Sequence, residues 1–410
     1  MDSSLSLSTQ SIAQRRALRV AVVTETYPPE VNGVAMTIHR MVAGLRERGH
    51  RIQLVRLRQG RYDRAAKDHG FEEVLQSGVP IPGYASLRAG LPAAGALARR
   101  WRAERPDIVH VVTEGPLGWS ALTAAARLDI PRSSDFHTNF HTYTEHYGIG
   151  WLRKPITAYL RAFHNKAGCT LVPTASLRDE LARHGVQNLR VVARGVDTQL
   201  FNPVRRSALL RELWHAGPGT PVVLYVGRLA PEKNLSVVLD AFSAMRAVRP
   251  DARLVFVGDG PERPALEAAF SDCSFAGMRH GEDLAAHYAS GDILLFPSTT
   301  ETYGNVTVEG MASGLAVIAY DYAAASEHII HGRNGLLADF DNTADFTSLA
   351  AGLVGSPARI AELGCAARAT AGRIDWRDVN DEFEAALQDI AGAGSGELGG
   401  RRLAHAAHGA

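Results

Sequence analysis

Cysteine is scarce in this chain. Its 410 residues include three, Cys169, Cys273 and Cys365, far apart and without a C-x-x-C pair. That spacing excludes a Cys-rich zinc site and a disulfide scaffold, and it points to a reducing, cytoplasmic setting. Long apolar runs are missing too. None reaches the roughly 18 residues that a membrane span needs. The Ser-rich start ends in Arg15-Arg16 and lacks an apolar h-region, so it does not read as a secretory signal. Net charge is almost absent: 44 Lys+Arg stand against 43 Asp+Glu, which gives no reason to expect a nucleic-acid partner.

What is present is ordinary globular material. Hydrophobic residues make up 46% of the chain, enough for two cores, and the length predicts two domains. The balanced charge hides an asymmetry. Residues 1–200 carry a net +10 and residues 201–410 a net −9. A basic half suggests a surface that faces something anionic.

Short apolar runs alternate with helical periods. Leu18–Thr24 reads as a strand buried on both faces. Val34, Ile38, Met41, Val42 and Leu45 follow at helical spacing, and Gly49 ends that helix. Strands are expected at Arg51–Leu57, Ile108–Val112, Cys169–Pro173 and Leu189–Ala193. The stretch between the first and second of these is looser and Arg-rich. The pattern restarts at Val222–Val226 and continues through Leu254–Val257, Ile293–Phe296 and Ala316–Ala319. Two doubly wound α/β domains in series fit this better than one large sheet.

Three loops at strand ends carry chemistry. Thr24–Gly33 joins the first strand to the first helix, where Gly33 lets backbone approach a ligand at a helix N-terminus. It is not a G-x-G-x-x-G fingerprint. Gly227–Asn234 (GRLAPEKN) follows a strand and opens a helix, so Arg228 and Lys233 can converge on one phosphate. Phe296–Glu309 places Glu301 before a helix and Glu309 inside it, an E-x7-E spacing. The amides of Gly304, Asn305 and Val306 would cradle a diphosphate there, and the two carboxylates would accept from sugar hydroxyls. The triplet Asp339-Phe340-Asp341 has the D-x-D form of a metal site, but its polar surroundings read as a turn and helix cap. No metal or other cofactor is expected.

GRLAPEKN, the turn Gly258-Asp259-Gly260-Pro261, ETYGNVTVE and the N-terminal ETYPPEVNGV together resemble glycosyltransferase family 4, over about Arg19 to Trp376. The nearest motifs are those of bacterial lipid mannosyltransferases and sulfolipid-synthase-like enzymes. The resemblance implies a GT-B fold, two Rossmann-like domains facing a cleft, and retaining transfer from a nucleotide sugar. Glu309 should then hold the ribose, Glu301 the donor sugar, Arg228 and Lys233 the diphosphate, with Gly33 against the phosphate. His137 matches a family histidine that contacts the donor sugar; His141 and His146 take no role.

The expected organisation is a disordered tail at 1–16, an acceptor-side domain at 17–200 and a nucleotide-sugar domain at 201–373. A helix at 374–390 then returns to the first domain, and 391–410 form a second disordered tail. The favoured reaction moves mannose from GDP-mannose to a lipid or glycolipid hydroxyl, at the cytoplasmic face of a membrane. A UDP-sugar donor (glucosyl or sulfoquinovosyl) or a soluble acceptor is the alternative; a nucleotide-sugar epimerase or a non-catalytic binding protein ranks lower. The basic residues from Arg46 to Lys67 and the segment Trp151–Arg161 are candidates for an anionic lipid surface.

Overall fold

A computed structural model describes residues 16–30, 32–81, 84–137 and 153–406. The chain divides into two compact units, residues 1–134 with 382–410, and residues 135–381. The sequence placed the boundary near 200. By this division residues 135–200 fall in the second unit, where Thr302 Oγ1 donates to the His137 carbonyl and Val196 N to the Ile374 carbonyl.

The first unit contains strands β1 (Arg19–Val23), β2 (Arg51–Leu57), β3 (Lys67–Asp68) and β4 (Phe71–Gln76), an antiparallel hairpin of β5 (Gly78–Ile81) and β6 (Tyr84–Gly90), then β7 (Ile108–Val111) and β8 (Arg132–Asp135). Their order is β8-β7-β1-β2-β4-β3, parallel except at β3. Val20 to Val23 are buried, as a strand covered on both faces requires. Helix Gly33–Glu47 seals one side with Ile38, Met41, Val42 and Leu45. β4 and the hairpin occupy the stretch that read only as loose, because FEEVLQ has no apolar alternation to announce it.

β8 is a polar strand, Arg-Ser-Ser-Asp, yet Ser133, Ser134 and Asp135 are fully buried. It is tolerated because side-chain partners exist. Ser133 Oγ, for instance, lies 3.0 Å from His110 Nδ1.

The second unit holds the parallel pair β9 (Cys169–Val172) and β10 (Leu189–Val191), and a six-stranded parallel sheet. That sheet is built from β11 (Val222–Val226), β12 (Arg253–Val257), β13 (Ser274–Gly277), β14 (Ile293–Phe296), β15 (Ala316–Tyr320) and β16 (Leu336–Ala338), ordered β13-β12-β11-β14-β15-β16. Alternate β11 residues feed two cores. Val222, Leu224 and Val226 meet Tyr288, Phe296 and Met311 on one face; Val223 and Tyr225 meet Val238, Phe242 and Leu295 on the other.

The last helix runs Trp376–Ala406, further than the helix and disordered tail expected at 374–390 and 391–410. Its first turns include Gly195's neighbour Trp376. Within the first unit, Phe383 packs edge-on against His110 at 5.0 Å, and Glu384 lies 3.1 Å from His50 Nε2. The tail expected at 1–16 falls outside the described residues except for Arg16, which pairs with Asp107. Among the described residues no helix is long and apolar enough to cross a membrane.

Candidate active site

In the second unit, the loops that leave β11 and β12 are packed back to back by glycine. Gly227 (φ 149°) and Gly258 (φ 143°) both stand in the left-handed half of backbone space. A Cβ on Gly258 would fall 1.9 Å from the Gly227 carbonyl oxygen, and one on Gly260 2.2 Å from that of Leu229. Backbone bonds lace the two turns, Leu229 N to Asp259 O and Glu262 N to Leu229 O, each 3.0 Å. The turn Gly258–Pro261 thus fixes the loop that carries Arg228 and Lys233.

Lys233 and Glu301, 68 positions apart, meet at 2.5 Å. Ser298 Oγ donates to the same carboxylate oxygen at 2.7 Å. Burial works to raise the Glu301 pKa, but the Lys233 ammonium, its hydrogen bond and that of Ser298 outweigh it and hold the carboxyl below its ordinary value. Asn234, left-handed at φ 50°, donates to the Pro297 carbonyl at 3.1 Å and so ties the lysine's loop to the glutamate's. Arg228 stays partly exposed beside the fully buried Glu232, 3.5 Å away.

Gly304 (φ 90°) turns the chain into helix Asn305–Ala312. Its left-handed conformation suits glycine and aims the first amides, Asn305 and Val306 among them, out of the helix start. Glu309, one turn in, accepts from the buried Tyr288 hydroxyl at 2.9 Å. Burial raises its pKa to about 7, against the opposing effect of that hydrogen bond. E-x7-E therefore yields two unlike carboxyls, one held ionised by a lysine and one near its midpoint at neutral pH.

His137 follows β8. Its Nε2 lies 2.8 Å from Asp135 Oδ2, and Asp135 Oδ1 accepts from Arg194 at 3.0 Å. All three side chains are nearly or fully buried. Thr302, next to Glu301, donates to the His137 carbonyl at 3.2 Å. The structure therefore brings His137, Lys233, Glu301 and the start of the Asn305 helix into one unit.

Gly33 lies in the other unit, at the start of its helix. Asn32 caps that helix by accepting from Ala35 N at 2.8 Å and donates to Thr26 Oγ1. Asp339 and Asp341 fall in the turn before helix Thr343–Val354, which Asn342 caps, and the Asp339 amide donates to Asp345. His141 and His146 lie outside the described residues.

Two family models match the chain, "Glycosyltransferase Family 4" at residues 31–200 and "Glycosyl transferases group 1" at 220–355. A GDP-mannose-dependent alpha-mannosyltransferase of Mycolicibacterium smegmatis is 34% identical over 89% of this chain and 96% of its own. The chain belongs to glycosyltransferase family 4. Sulfoquinovosyl transferase SQD2 of Arabidopsis thaliana is 30% identical, covering 93% of this chain and 76% of that one. An alpha-monoglucosyldiacylglycerol synthase of Streptococcus pneumoniae is 28% identical over 74% and 71%. Among solved structures, Anabaena HepE in complex with UDP and glucose superposes with a TM-score of 0.71 at 19% identity, over 91% of this chain and all of that one. The fold is GT-B, with two Rossmann-like domains, and the protein is a glycosyltransferase.

Several residues of the transferase escaped the sequence reading. Asp135 and Arg194 are 59 positions apart, and no spacing rule joins them. Tyr288 reaches Glu309 from helix Gly281–Ser290, and Ser298 reaches Glu301 from three positions earlier on the same loop. In the first unit Glu25 Oε1 accepts from the Leu117 amide at 2.8 Å. It thereby fills the N-terminus of helix Pro116–Arg127 with the chain's own carboxylate.

The basic stretch also needs correction. Arg56 is buried and paired with both Asp63 and Glu73, so it does not face a lipid surface. Arg46 pairs with Asp68 and lies over the Phe71 ring, and Lys67 pairs with Glu72. On helix Arg153–Lys166, Lys154, Tyr159 and Arg161 are exposed while Leu160 and Phe163 are buried. Trp151 and Leu152 lie outside the described residues.

Proposed function

We propose that this glycosyltransferase moves mannose from GDP-mannose to a hydroxyl of a lipid or glycolipid, with retention at the anomeric carbon and without a metal, at the cytoplasmic face of a membrane. The observation that carries the reading is the Lys233–Ser298–Glu301 cluster next to the Gly304 helix start, in a chain 34% identical to a GDP-mannose-dependent alpha-mannosyltransferase. The relative named for a monoglucosyldiacylglycerol supports the lipid acceptor.

In this reading Arg228, Lys233 and the amides of Gly304–Val306 take the diphosphate, and cations plus a helix N-terminus stabilise the charge that grows on it. Glu309 accepts from the ribose and Glu301 from the sugar hydroxyls, with His137 beside the sugar. The acceptor oxygen bonds to the anomeric carbon on the face from which the phosphate departs. The bond from that carbon to the phosphate oxygen breaks, and the departing phosphate takes the acceptor's proton.

Thermal shift against GDP-mannose and UDP-glucose tests the donor, since a ligand at 100 times its Kd adds about 2.7 kcal/mol. The expected result is a larger shift with GDP-mannose and mannose transfer only when vesicles carrying diacylglycerol or phosphatidylinositol are added. A larger shift with UDP-glucose moves the assignment to the glucosyl alternative. Conversion of the donor sugar without acceptor makes the protein an epimerase, and binding without turnover makes it a binding protein.

A further inference from the structure

His137 is held more firmly than contact with a sugar requires. Its carbonyl accepts from Thr302 Oγ1 at 3.2 Å. Its ring nitrogen Nε2 stands 2.8 Å from Asp135 Oδ2. Two lone pairs at that distance would repel, so the close contact calls for a proton on Nε2, although in this conformation the N–H is not aligned with Oδ2 as a hydrogen bond. Asp135 is fully buried, and an unpaired anion there would be costly. Arg194 supplies the countercharge, donating to Oδ1 at 3.0 Å while also donating to the Val192 carbonyl at 3.3 Å. Arg194 is itself 2% exposed.

The chain of contacts then returns to the donor loop. Tyr303 donates its single hydroxyl proton to the Arg194 carbonyl at 2.9 Å. His328 Nε2, 2.9 Å from the same phenol oxygen, is left as the donor to it. Thr302 and Tyr303, consecutive residues beside Glu301, thus reach the backbone of His137 and the backbone of Arg194.

We propose that Asp135 and Arg194 are positioning residues for sugar transfer: the buried Arg194–Asp135 pair fixes the orientation and tautomer of His137, with the proton on Nε2 and Nδ1 the ring nitrogen outside the ion pair. The physical logic is general. A carboxylate that accepts one imidazole N–H sets which nitrogen meets the substrate. This inference rests on the proposed role of His137 at the donor sugar.

The test is a double-mutant cycle in the full-length protein. Asp135→Asn should lower kcat about 10-fold to 100-fold, with donor KM and GDP affinity by calorimetry each within about threefold of wild type. Combined with His137→Ala, it should add nothing to the loss from His137→Ala alone. If Asp135→Asn proves unstable, Asp135→Asn with Arg194→Met removes both buried charges together and should show the same non-additivity. In the wild-type protein, long-range proton–nitrogen NMR of labelled histidine should give His137 the pattern of an Nε2-protonated ring. A His137→Ala variant with wild-type kcat would instead remove the histidine from the proposed reaction. An impaired His137→Ala with multiplicative losses, or an Nδ1-protonated ring, would overturn the positioning role and leave the proposed function standing.

Discussion

At the residue scale, the two glutamates of E-x7-E differ more than their identical chemistry suggests. Burial would raise the Glu301 pKa, but Lys233 and Ser298 hold it below the ordinary value, so the carboxyl is ionised at neutral pH. Lys233→Ala and Glu301→Ala should each reduce transfer by about 10²-fold, since each removes a charge-assisted contact at the donor. Initial rates at saturating acceptor check this, and near-wild-type rates for both would remove the cluster from the site. Glu309, raised to about 7 by burial, behaves differently. Accepting from a ribose hydroxyl favours its ionised form. Donor affinity should therefore rise from pH 6 to pH 8 and flatten above. The intact nucleotide sugar is the right probe, because its diphosphate diester does not titrate in this range. Glu309→Gln should remove that slope. The same shift acts on stability with the opposite sense. A folded-state pKa above the ordinary value of 4.5 means that the folded protein binds the proton better between about 4.5 and 7, so this group's contribution to stability falls as pH rises through that window.

At the element scale, the strand–loop–helix units succeed or fail on a few backbone positions. Gly258 has both a left-handed φ and a carbonyl 1.9 Å from where its Cβ would be. Gly258→Ala must therefore push apart the two loops that present Arg228 and Lys233. A loss of about 3 kcal/mol is expected from overpacking combined with backbone strain. Donor affinity should weaken more than the stability loss alone explains. Urea denaturation and nucleotide calorimetry separate the two, and an alanine variant as stable as wild type would show that the loops can part freely. β8 teaches a related point. Its Ser-Ser-Asp sequence has little strand propensity, yet the backbone extends there because Ser133 meets His110 and Asp135 meets Arg194. Propensity yields to burial when polar partners are supplied.

At the scale of the whole molecule, two expectations can be separated by experiment. In the proposed reaction Arg228, Lys233 and a helix start supply positive charge for the diphosphate, while the D-x-D triplet lies in a helix-capping turn. Transfer should persist in excess EDTA; loss restored by manganese would move Asp339 and Asp341 into the reaction. The proposed membrane association rests on a smaller surface than the sequence suggested, because Arg56 is buried and several neighbours are paired. Lys154, Tyr159 and Arg161 on helix Arg153–Lys166 remain exposed. Each cation near an anionic surface contributes about 1 kcal/mol, screened by salt. The protein should sediment with anionic but not zwitterionic vesicles at low salt, and Lys154→Glu with Arg161→Glu should weaken this. A protein that stays in the supernatant favours a soluble acceptor.

The sequence by itself determined the family, the two parallel-sheet domains and the loops that carry the candidate donor residues. Each of those is a local signal: an apolar run, a strand followed by a glycine turn, or carboxylates eight positions apart on one loop and helix. β11, from Val222 to Val226, begins and ends where its apolar run does. The tertiary structure alone decided which partners those residues meet. Arg194 reaches Asp135 across 59 positions, Lys233 reaches Glu301 across 68, and Arg56 turns inward to two acids. Periodicity reports which face of an element is buried, but not what lies against that face. Charges and hydrogen bonds act over a few ångströms of space and are blind to separation along the chain, so their pairing appears only once the chain is folded.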